Sequence, residues 1–450
     1  MPTFLIGPLS MKSFRLLLRC ATVGALVLLL LVPLTLVRGV IQERQSYRDM
    51  AVQRVSESKA GAQTFIGPVR VVPWTQVEEI TTTDSDGKAQ RQRRTVEGYE
   101  LQAPRRLAIA GRLVPSERRI GLFRVPVYQW QSTVQAEFAP LDYDLVPERH
   151  HGQPYLVIGV RDVRGLAEMP SLEVDGKAQA LRPGSKAFAS ISQGVHALLP
   201  SPAPEAAPGH LPALKTVSLR FSLDGTQALS IAPIADDNRI SLQSAWPHPS
   251  FSGSFLPATR QVAADGFNAS WSVSSLASDA QRKLLEERQA PETLQVSLVD
   301  PVDVYTQADR ASKYGILFVV LTFVGFALFE LIKRLPIHPL QYLLVGLALA
   351  IFFLLLIGLS EHIVFWKAYL VSSIACIGLQ LVYLSGVLRS WWRAAGFAAT
   401  LTALYGALYT LLVSEDNALL MGSLLLFGIL AAVMWITRKV DWYDLSASLR

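Results

Sequence analysis

The sequence predicts a membrane protein of mixed α+β class, with an N-terminal transmembrane anchor, a large mainly β extracytoplasmic domain and a C-terminal bundle of five transmembrane helices. Two observations lead to this prediction. Only 17% of the 450 residues are charged, whereas soluble globular chains carry about 25%. Long apolar runs lie near the N-terminus and after Lys313, and between them apolar and polar residues alternate as they do in strands.

The first element is the apolar run Cys20–Val40, which is long enough to cross a bilayer as a helix. A cleavable signal peptide is the alternative, but its apolar region is usually shorter and ends in a small-residue cleavage site. We therefore predict that residues 1–40 form a cytoplasmic tail and an uncleaved anchor, with Met1 and Met11 as alternative starts. Three basic residues precede the apolar run, namely Lys12, Arg15 and Arg19.

The second element, residues 41–312, is predicted to be the mainly β domain. It begins with a charged segment that predicts a helical stalk ending near Gly61. Alternation over Val217–Ile231, interrupted by Asp224-Gly225, predicts a hairpin, and residues 278–290 predict a helix. Several antiparallel strands favour a sandwich or a barrel, although the strand order is not readable. The strand-like runs are FIGPVRVVPW, RRLAIAGRL, STVQAEF, YLVIGVRDV and RISLQSAW, and further Asp-Gly pairs begin at Asp86, Asp175 and Asp265.

The third element, residues 313–437, is predicted to contain five closely spaced spans, followed by a cytoplasmic tail at residues 438–450. Basic residues cluster in the loops after the first, third and fifth of these spans, and positively charged loops remain in the cytoplasm. Both termini are therefore predicted to be cytoplasmic, and the β domain lies outside. The predicted spans are Tyr314–Ile332, Leu340–Leu359, Ala368–Leu388, Ala394–Val413 and Ala418–Thr437.

Known catalytic and metal-binding patterns are absent from the sequence. It contains no nucleophile elbow, phosphate-binding loop, dinucleotide fingerprint or zinc-protease helix. The run DSDGK lacks the later ligands of a calcium loop, and His150-His151 are interpreted as part of a solvated loop. We predict no enzyme activity, no cofactor and no metal. The positive net charge lies in and beside the membrane segments, so nucleic acid is not an expected partner.

The segment WPHPSFSGSF is the most unusual part of the β domain, because two prolines restrict the backbone around His248. Aromatic side chains on a rigid segment favour binding to a partner. The alternative is a structural loop that packs on the sheet. The candidate partner surface consists of Trp246, His248, Phe251 and Phe255.

Several long segments resemble the CreD family of inner membrane proteins, known as cell envelope integrity proteins. These are DRASKYGILFVVLTFVGFALFE, LPIHPLQYLLVGLALAIFFLLLIGLSEH, SEDNALLMGS, DWYDLS, IGPVRVVPW and WPHPSFSGSFLPATRQV. The resemblance implies a multi-pass protein of the bacterial inner membrane, regulated by a two-component system also called Cre. It also implies a link to envelope damage and to β-lactam or colicin susceptibility. It supplies no catalytic residues.

The sequence supports three functional hypotheses. The first is non-catalytic binding of an envelope component through the outer domain, with membrane lipids and an unknown periplasmic or membrane protein as partners. The second is a transporter or flippase of an amphipathic or lipid-linked substrate. The third is a sensor, which needs a partner because its cytoplasmic loops are short. A transport path predicts a polar seam formed by Thr322, Gln380, Tyr383, Tyr405 and Tyr409. Ordinary helix packing, or placement of aromatic residues at the membrane interface, is the alternative for these residues and the favoured one.

Overall fold

The computed structural model describes residues 11–83, 89–143, 146–186, 193–201, 209–286, 290–298, 304–333, 337–413 and 418–438. The chain forms two compact units. One comprises Met1–Tyr47 and Val302–Arg450, and the other comprises Arg48–Pro301.

The first unit is helical. Its N-terminal helix α1 continues beyond the apolar run, through the segment for which a stalk is predicted. In the described residues the helices of the chain are α1 (Met11–Ser58), α2 (Ala280–Glu286), α3 (Val304–Lys313), α4 (Gly315–Lys333), α5 (Pro339–Ser360), α6 (Phe365–Val387), α7 (Trp391–Val413) and α8 (Ala418–Thr437). Of these, α2 and the last part of α1, from Arg48 to Ser58, belong to the second unit.

Four described helices are long and apolar enough to cross a membrane, including the N-terminal one. The number rises to five if α3 and α4, whose axes differ in direction by 46° at their junction, together form one span. Residues 420–435 within α8 form a shorter apolar helix. Each apolar helix overlaps one of the predicted spans, although only four or five helices meet the length and hydropathy requirements of a span. Helix α3 is an additional amphipathic helix, and it lies partly within residues 41–312, which the sequence analysis assigned to the β domain.

The second unit contains nineteen described strands. In chain order they are β1 (Gln63–Thr83), β2 (Ala89–Gln102), β3 (Arg106–Ile120), β4 (Phe123–Phe138), β5 (Leu141–Asp142), β6 (Arg149–His151), β7 (Tyr155–Val160), β8 (Ser171–Val174), β9 (Lys177–Gln179), β10 (Leu181–Pro183), β11 (Gly194–Leu198), β12 (His210–Leu211), β13 (Leu214–Thr226), β14 (Ala228–Ile231), β15 (Asp237–Ser244), β16 (Pro249–Gly253), β17 (Thr259–Ala263), β18 (Gly266–Ser274) and β19 (Leu294–Leu298).

These strands form two large sheets and one small one. The nine-stranded sheet has the order β10-β11-β7-β1-β14-β19-β16, with β2 and β6 also paired to β1. The eight-stranded sheet has the order β17-β18-β15-β3-β4-β13-β8-β9, and β5 pairs with β12. Most pairs are antiparallel, but β3 and β15 run parallel and so do β1 and β14.

The core lies between the two large sheets, because buried apolar side chains from both sheets form one cluster. In the eight-stranded sheet, strands such as β15 and β18 alternate buried apolar with exposed polar residues. Phe65 from the nine-stranded sheet contacts Trp130 from the eight-stranded sheet, with ring centroids 5.5 Å apart. Phe221 stacks on Phe65 at 5.3 Å and meets Trp130 edge to face at 5.1 Å. This aromatic cluster joins the sheets, so the second unit is a β-sandwich.

The predicted hairpin at Asp224-Gly225 is wrong. Both residues lie inside β13, paired with Gln129 and Tyr128 of β4. The chain turns at Gln227, whose φ is 60°, and β14 then joins the other sheet. A Cβ atom on Gly225 would collide with the Tyr128 side chain. This glycine therefore permits a close packing contact rather than a turn.

Other local predictions have mixed outcomes. Asp175 and Gly176 form the turn between β8 and β9 with positive φ values, and residues 264 and 265 connect β17 to β18. The expected helix at 278–290 corresponds to α2, which covers Ala280–Glu286, and residues 287–289 lie outside the described residues. The pair beginning at Asp86 lies outside the described residues. The five strand-like runs all fall on strands, namely β1, β3, β4, β7 and β15.

Candidate ligand-binding face of the β-sandwich

The outer face of the eight-stranded sheet carries two aligned rows of side chains, all of them polar except Ala110 in the first row. Strand pairing places the members of each row next to one another across the sheet. The first row is Thr259, Ser270, Ser241, Ala110, Thr133, Arg220 and Ser171. The second row is Gln261, Asn268, Gln243, Arg112, Gln131 and Ser222. Because strands lie about 4.8 Å apart, the first row spans roughly 29 Å.

Together the rows line a groove of about 970 Å³, a volume near the upper end for ligand sites. Apart from these rows, Glu168 and Met169 border one end of the groove. A second depression of about 820 Å³ shares Arg112, Gln243 and two further lining residues with the groove. The polar surface therefore continues along the sheet beyond the first groove.

Hydroxyl and amide groups dominate the described lining of the groove, and its charged residues are Arg112, Arg220 and Glu168. Lysine, which commonly protects solvated sheet surfaces, is absent from this lining. Both guanidinium groups belong to exposed residues, and within the described structure neither one has a salt-bridge partner. The groove thus offers many neutral hydrogen-bonding groups and two available positive charges.

The positions of the two arginines follow from strand register. Arg112 lies on β3 and Arg220 on β13, with β4 between them. They also occupy different rows, because Arg112 pairs with Gln131 whereas Arg220 pairs with Thr133. Their backbones are roughly 12 Å apart, because they are two strands apart across the sheet and two residues apart along the strand direction. The charges are therefore spaced along the groove and do not converge on one point.

Ser222 occupies the end of the second row and is the one buried member of that row. Its residue is 8% exposed, and its hydroxyl has no hydrogen-bond partner in the described structure. Buried hydroxyl groups normally have a partner, because an unpaired one costs about 1–3 kcal/mol. Because its oxygen has almost no accessible surface, this hydroxyl is not available to a ligand in the groove.

Some polar side chains of the groove already have hydrogen-bond partners within the protein. The Gln131 amide donates to Gln129 Oε1 at 3.2 Å, and Thr259 and Ser270 share a hydrogen bond of 2.6 Å. Ser241 donates to the carbonyl oxygen of Ile109 at 3.4 Å. These contacts orient several side chains, while the amides of Gln243 and Asn268 make no hydrogen bond within the described residues.

The predicted partner surface lies in β16 and its flanking segments. Phe251 packs against Phe267 and Trp271, with centroids 5.6 and 5.9 Å away. The Trp246 indole donates to the His248 carbonyl at 3.1 Å, and the Trp271 indole donates to the Phe255 carbonyl at 3.2 Å.

Trp246, Phe251 and Phe255 are partly buried against the sandwich core, whereas His248 is exposed. Packing on the core accounts for the three aromatic side chains. Their participation in partner binding remains a prediction.

The interpretation of His150-His151 as a solvated loop is wrong, because both residues belong to β6 and pair with β1. The His151 ring lies 4.2 Å from the Tyr143 ring, which keeps it partly buried. Across the part of the chain that the structure describes, no group of three or more histidine, cysteine, aspartate or glutamate side chains could hold a metal ion.

Arg70 is a buried charge that sequence analysis missed. It is 2% exposed and donates to Gln102 Oε1 at 3.1 Å and to the Pro212 carbonyl at 2.7 Å. Burial disfavours the charged form and lowers the pKa of its guanidinium to about 10. Its partners hold neighbouring segments of the sandwich together, so its role is structural.

The proposed polar seam is only partly assembled in the helical unit. Tyr405 donates to Cys376 Sγ at 3.1 Å, and Gln380 Nε2 lies 3.6 Å from the same sulfur atom. Thr322 instead bonds to the Phe318 carbonyl of its own helix at 2.8 Å. Cys376 is thus the centre of a small buried polar cluster that it forms with Gln380 and Tyr405.

Acidic residues near the ends of the helices have partners within the same unit. Tyr342 donates to Glu330 at 2.6 Å. Glu361 lies 3.4 Å from Arg44 and accepts a hydrogen bond from Tyr305 at 3.3 Å. These pairings satisfy the charges without a chain of acidic residues through the described helices.

The chain is similar to known inner membrane proteins over nearly its whole length. The family model described as inner membrane protein CreD matches residues 15–443. Inner membrane protein CreD of Escherichia coli strain K12 is 36% identical over 426 residues, which cover 93% of this chain and 92% of that protein.

Solved structures show weak similarity. A mutant M1 zinc metallopeptidase from Deinococcus radiodurans has a TM-score of 0.22 and 11% identity, with coverage of 43% of this chain and 42% of that chain. A mutant of the same enzyme bound to a Tyr-Ser-Ala substrate has the same TM-score and identity, with coverage of 47% and 53%. Scores this low support no argument about fold or chemistry.

Proposed function

Because the chain belongs to the CreD family of inner membrane proteins, we propose that it supports cell envelope integrity by non-catalytic binding of an envelope component. Its β-sandwich is the binding module, and its apolar helices hold the module at the inner membrane. The observation that carries this proposal is the pair of polar rows on one sheet face, which line the groove of about 970 Å³.

The proposed orientation places the sandwich on the periplasmic side. Basic residues precede the N-terminal apolar run, and further basic residues follow the apolar segments at Lys333, Arg389 and Arg438. Loops of this kind stay in the cytoplasm. With both termini cytoplasmic, a sandwich inserted between α1 and α4 faces envelope components outside the membrane.

Non-catalytic action is part of the proposal. The polar side chains of the groove are hydroxyls, amides and two arginines, and Glu168 is its one described carboxylate. General acid–base catalysis usually requires groups whose pKa values suit proton transfer. A set dominated by neutral hydrogen-bonding groups suits recognition instead.

Photocrosslinking in cells tests the proposal. A photoreactive residue at Gln243 lies inside the groove, one at His248 lies in the aromatic segment, and one at Leu276, which is 98% exposed, serves as the control. We expect a discrete adduct at Gln243 and none at Leu276. An adduct at His248 alone would move the binding site to the aromatic segment, and its loss in Trp246→Ala would support that assignment.

A second candidate function is transport of an amphipathic or lipid-linked substrate. The buried cluster around Cys376 favours it, because Gln380 and Tyr405 meet there inside the helical unit. Transport predicts that Gln380→Leu abolishes substrate flux in vesicles that contain the purified protein. Binding by the sandwich predicts instead that this variant retains the Gln243 adduct and full envelope protection.

A further inference from the structure

We infer that the groove binds an anionic glycan, a chain of hydroxyl- and amide-bearing sugars that carries single carboxylate groups at intervals. This inference rests on the proposed function and names the class of ligand for the same site. It follows from the chemistry of the rows, their length, and the position of the two arginines.

The neutral side chains of the rows suit a sugar polymer. Serine and threonine hydroxyls both donate and accept hydrogen bonds, and so do glutamine and asparagine amides through their two ends. Sugar hydroxyls and acetamido groups offer the same mixture of donors and acceptors. Four amides occur in the second row, contributed by Gln261, Asn268, Gln243 and Gln131.

The shape of the site favours an extended ligand. The first row crosses seven strands, so its groups follow one line of roughly 29 Å across the sheet. A compact metabolite would need groups that converge on one point. An extended polymer contacts a line of groups, one strand after another.

Other ligand classes fit the groove less well. Apolar ligands and acyl chains favour pockets lined mainly by apolar and aromatic side chains. Protein partners are typically anchored by exposed aromatic residues in addition to arginine, whereas the one aromatic residue of the described lining, Phe221, is buried. Phosphate-rich ligands are recognised by clustered arginines, whereas Arg112 and Arg220 are separated by β4.

The two positively charged arginines are the reason to infer that the ligand is anionic. A guanidinium group binds a carboxylate through two parallel hydrogen bonds. Arg112 and Arg220 lack salt-bridge partners in the described structure, and their backbones are roughly 12 Å apart by strand spacing. Two separate carboxylates on one polymer would satisfy both residues.

The test uses the purified full-length protein in lipid nanodiscs and three soluble probes. The first is a carboxylate-bearing glycan of alternating N-acetylated sugars, released from purified cell wall by amidase treatment. The second is a neutral oligomer of N-acetylglucosamine of matched length. The third is deacylated lipopolysaccharide core, which carries phosphates. Binding is measured by isothermal titration calorimetry at two salt concentrations.

We expect the carboxylate-bearing glycan to bind at least tenfold more tightly than the neutral oligomer, and added salt to reduce this difference. The double variant Arg112→Gln, Arg220→Gln should lose at least tenfold in affinity for that glycan, since it lacks both charge-assisted contacts. Its affinity for the neutral oligomer should change less than twofold. Arg118→Gln is the matched control, because Arg118 is exposed on the same strand and face, roughly 20 Å from Arg112.

Three results would overturn the inference: equal binding of the charged and neutral glycans, unchanged binding in the double variant, or binding of the phosphate-bearing core alone. If no glycan binds but the Gln243 adduct forms in cells, the glycan assignment fails while the proposed binding function stands. If neither a glycan nor an adduct is detected, both fail, and the polar rows are an ordinary solvated sheet face.

Discussion

Arg112 lies directly opposite Gln131 in the antiparallel pair of β3 and β4, and both residues are exposed on the outer face of the sheet. Directly opposed side chains on one face are close enough to interact. The pair places an unpaired positive charge beside an amide in the middle of the groove. A charge introduced at residue 131 should therefore act directly on the guanidinium group of Arg112.

Gln131→Glu is predicted to reduce binding of the carboxylate-bearing glycan at least tenfold, because the new carboxylate pairs with Arg112 and repels the ligand. The same cross-strand ion pair should leave the free energy of unfolding unchanged or raise it by about 0.2–1 kcal/mol. Titration calorimetry and urea unfolding measure the two effects. Gln135→Glu, on the same strand and face but outside the groove lining, is the control.

Phe65→Ala is predicted to destabilise the sandwich by about 3–5 kcal/mol, because Phe65 is fully buried and joins Trp130 and Phe221 across the sheets. Urea unfolding followed by tryptophan fluorescence checks this loss. Leu276→Ala removes an apolar side chain that is 98% exposed, so its effect should stay within about 0.5 kcal/mol. Equal losses in both variants would contradict the assignment of the core.

The sequence was sufficient to predict the apolar helices and the β character of the outer domain, because hydropathy and alternation are local signals. It was not sufficient to predict the groove. Ser241 and Thr133 come together only through the order of β15, β3 and β4, which follows from long-range pairing. One local signal was present, since hydroxyl and amide residues occupy the exposed positions 241 and 243 of β15 and the polar positions of β18.

The failed hairpin at Asp224-Gly225 shows a further limit. An Asp-Gly pair favours a tight turn locally, but the long register between β13 and β4 runs through it. For the segment around His248 the sequence left two interpretations open, a partner surface and a structural loop packed on the sheet. Phe251 packs on Trp271, a contact that no local pattern specifies.

Asp162→Asn is predicted to make the sandwich less stable at neutral pH. Hydrogen bonds from Arg164 lower the pKa of the Asp162 carboxyl below its ordinary value. The ionised form therefore stabilises the fold above the unfolded pKa of about 4, and this contribution is lost as the pH falls through the lower folded pKa. Arg164 also donates to the Glu57 carbonyl at the end of α1, at 2.6 Å.

Urea midpoints of the detergent-solubilised protein at pH 7 and pH 3 check the Asp162 prediction. The difference in urea midpoint between wild type and Asp162→Asn should be smaller at pH 3 than at pH 7. Asp265→Asn is the control, since Asp265 is exposed in the turn before β18. A difference that widens on acidification would contradict the assigned direction of the pKa.

The proposed orientation predicts that a cysteine introduced at Leu276 reacts with a membrane-impermeant maleimide in intact spheroplasts. A cysteine at Ser448, in the predicted cytoplasmic tail, should react only after the membrane is permeabilised. Both variants require Cys20→Ser and Cys376→Ser, which remove the native thiols. Labelling of the Ser448 position in intact spheroplasts would contradict cytoplasmic placement of the C-terminus.

The most direct test of the central claim is envelope protection by groove variants in a bacterial strain that lacks its own family member. Entry of a chromogenic β-lactam is measured after expression of wild type, the double variant Arg112→Gln, Arg220→Gln, or the control Arg118→Gln at equal abundance. We predict that wild type and the control restore the barrier and that the double variant restores less than half of it. Full restoration by the double variant would contradict the proposal that the charged groove performs the function.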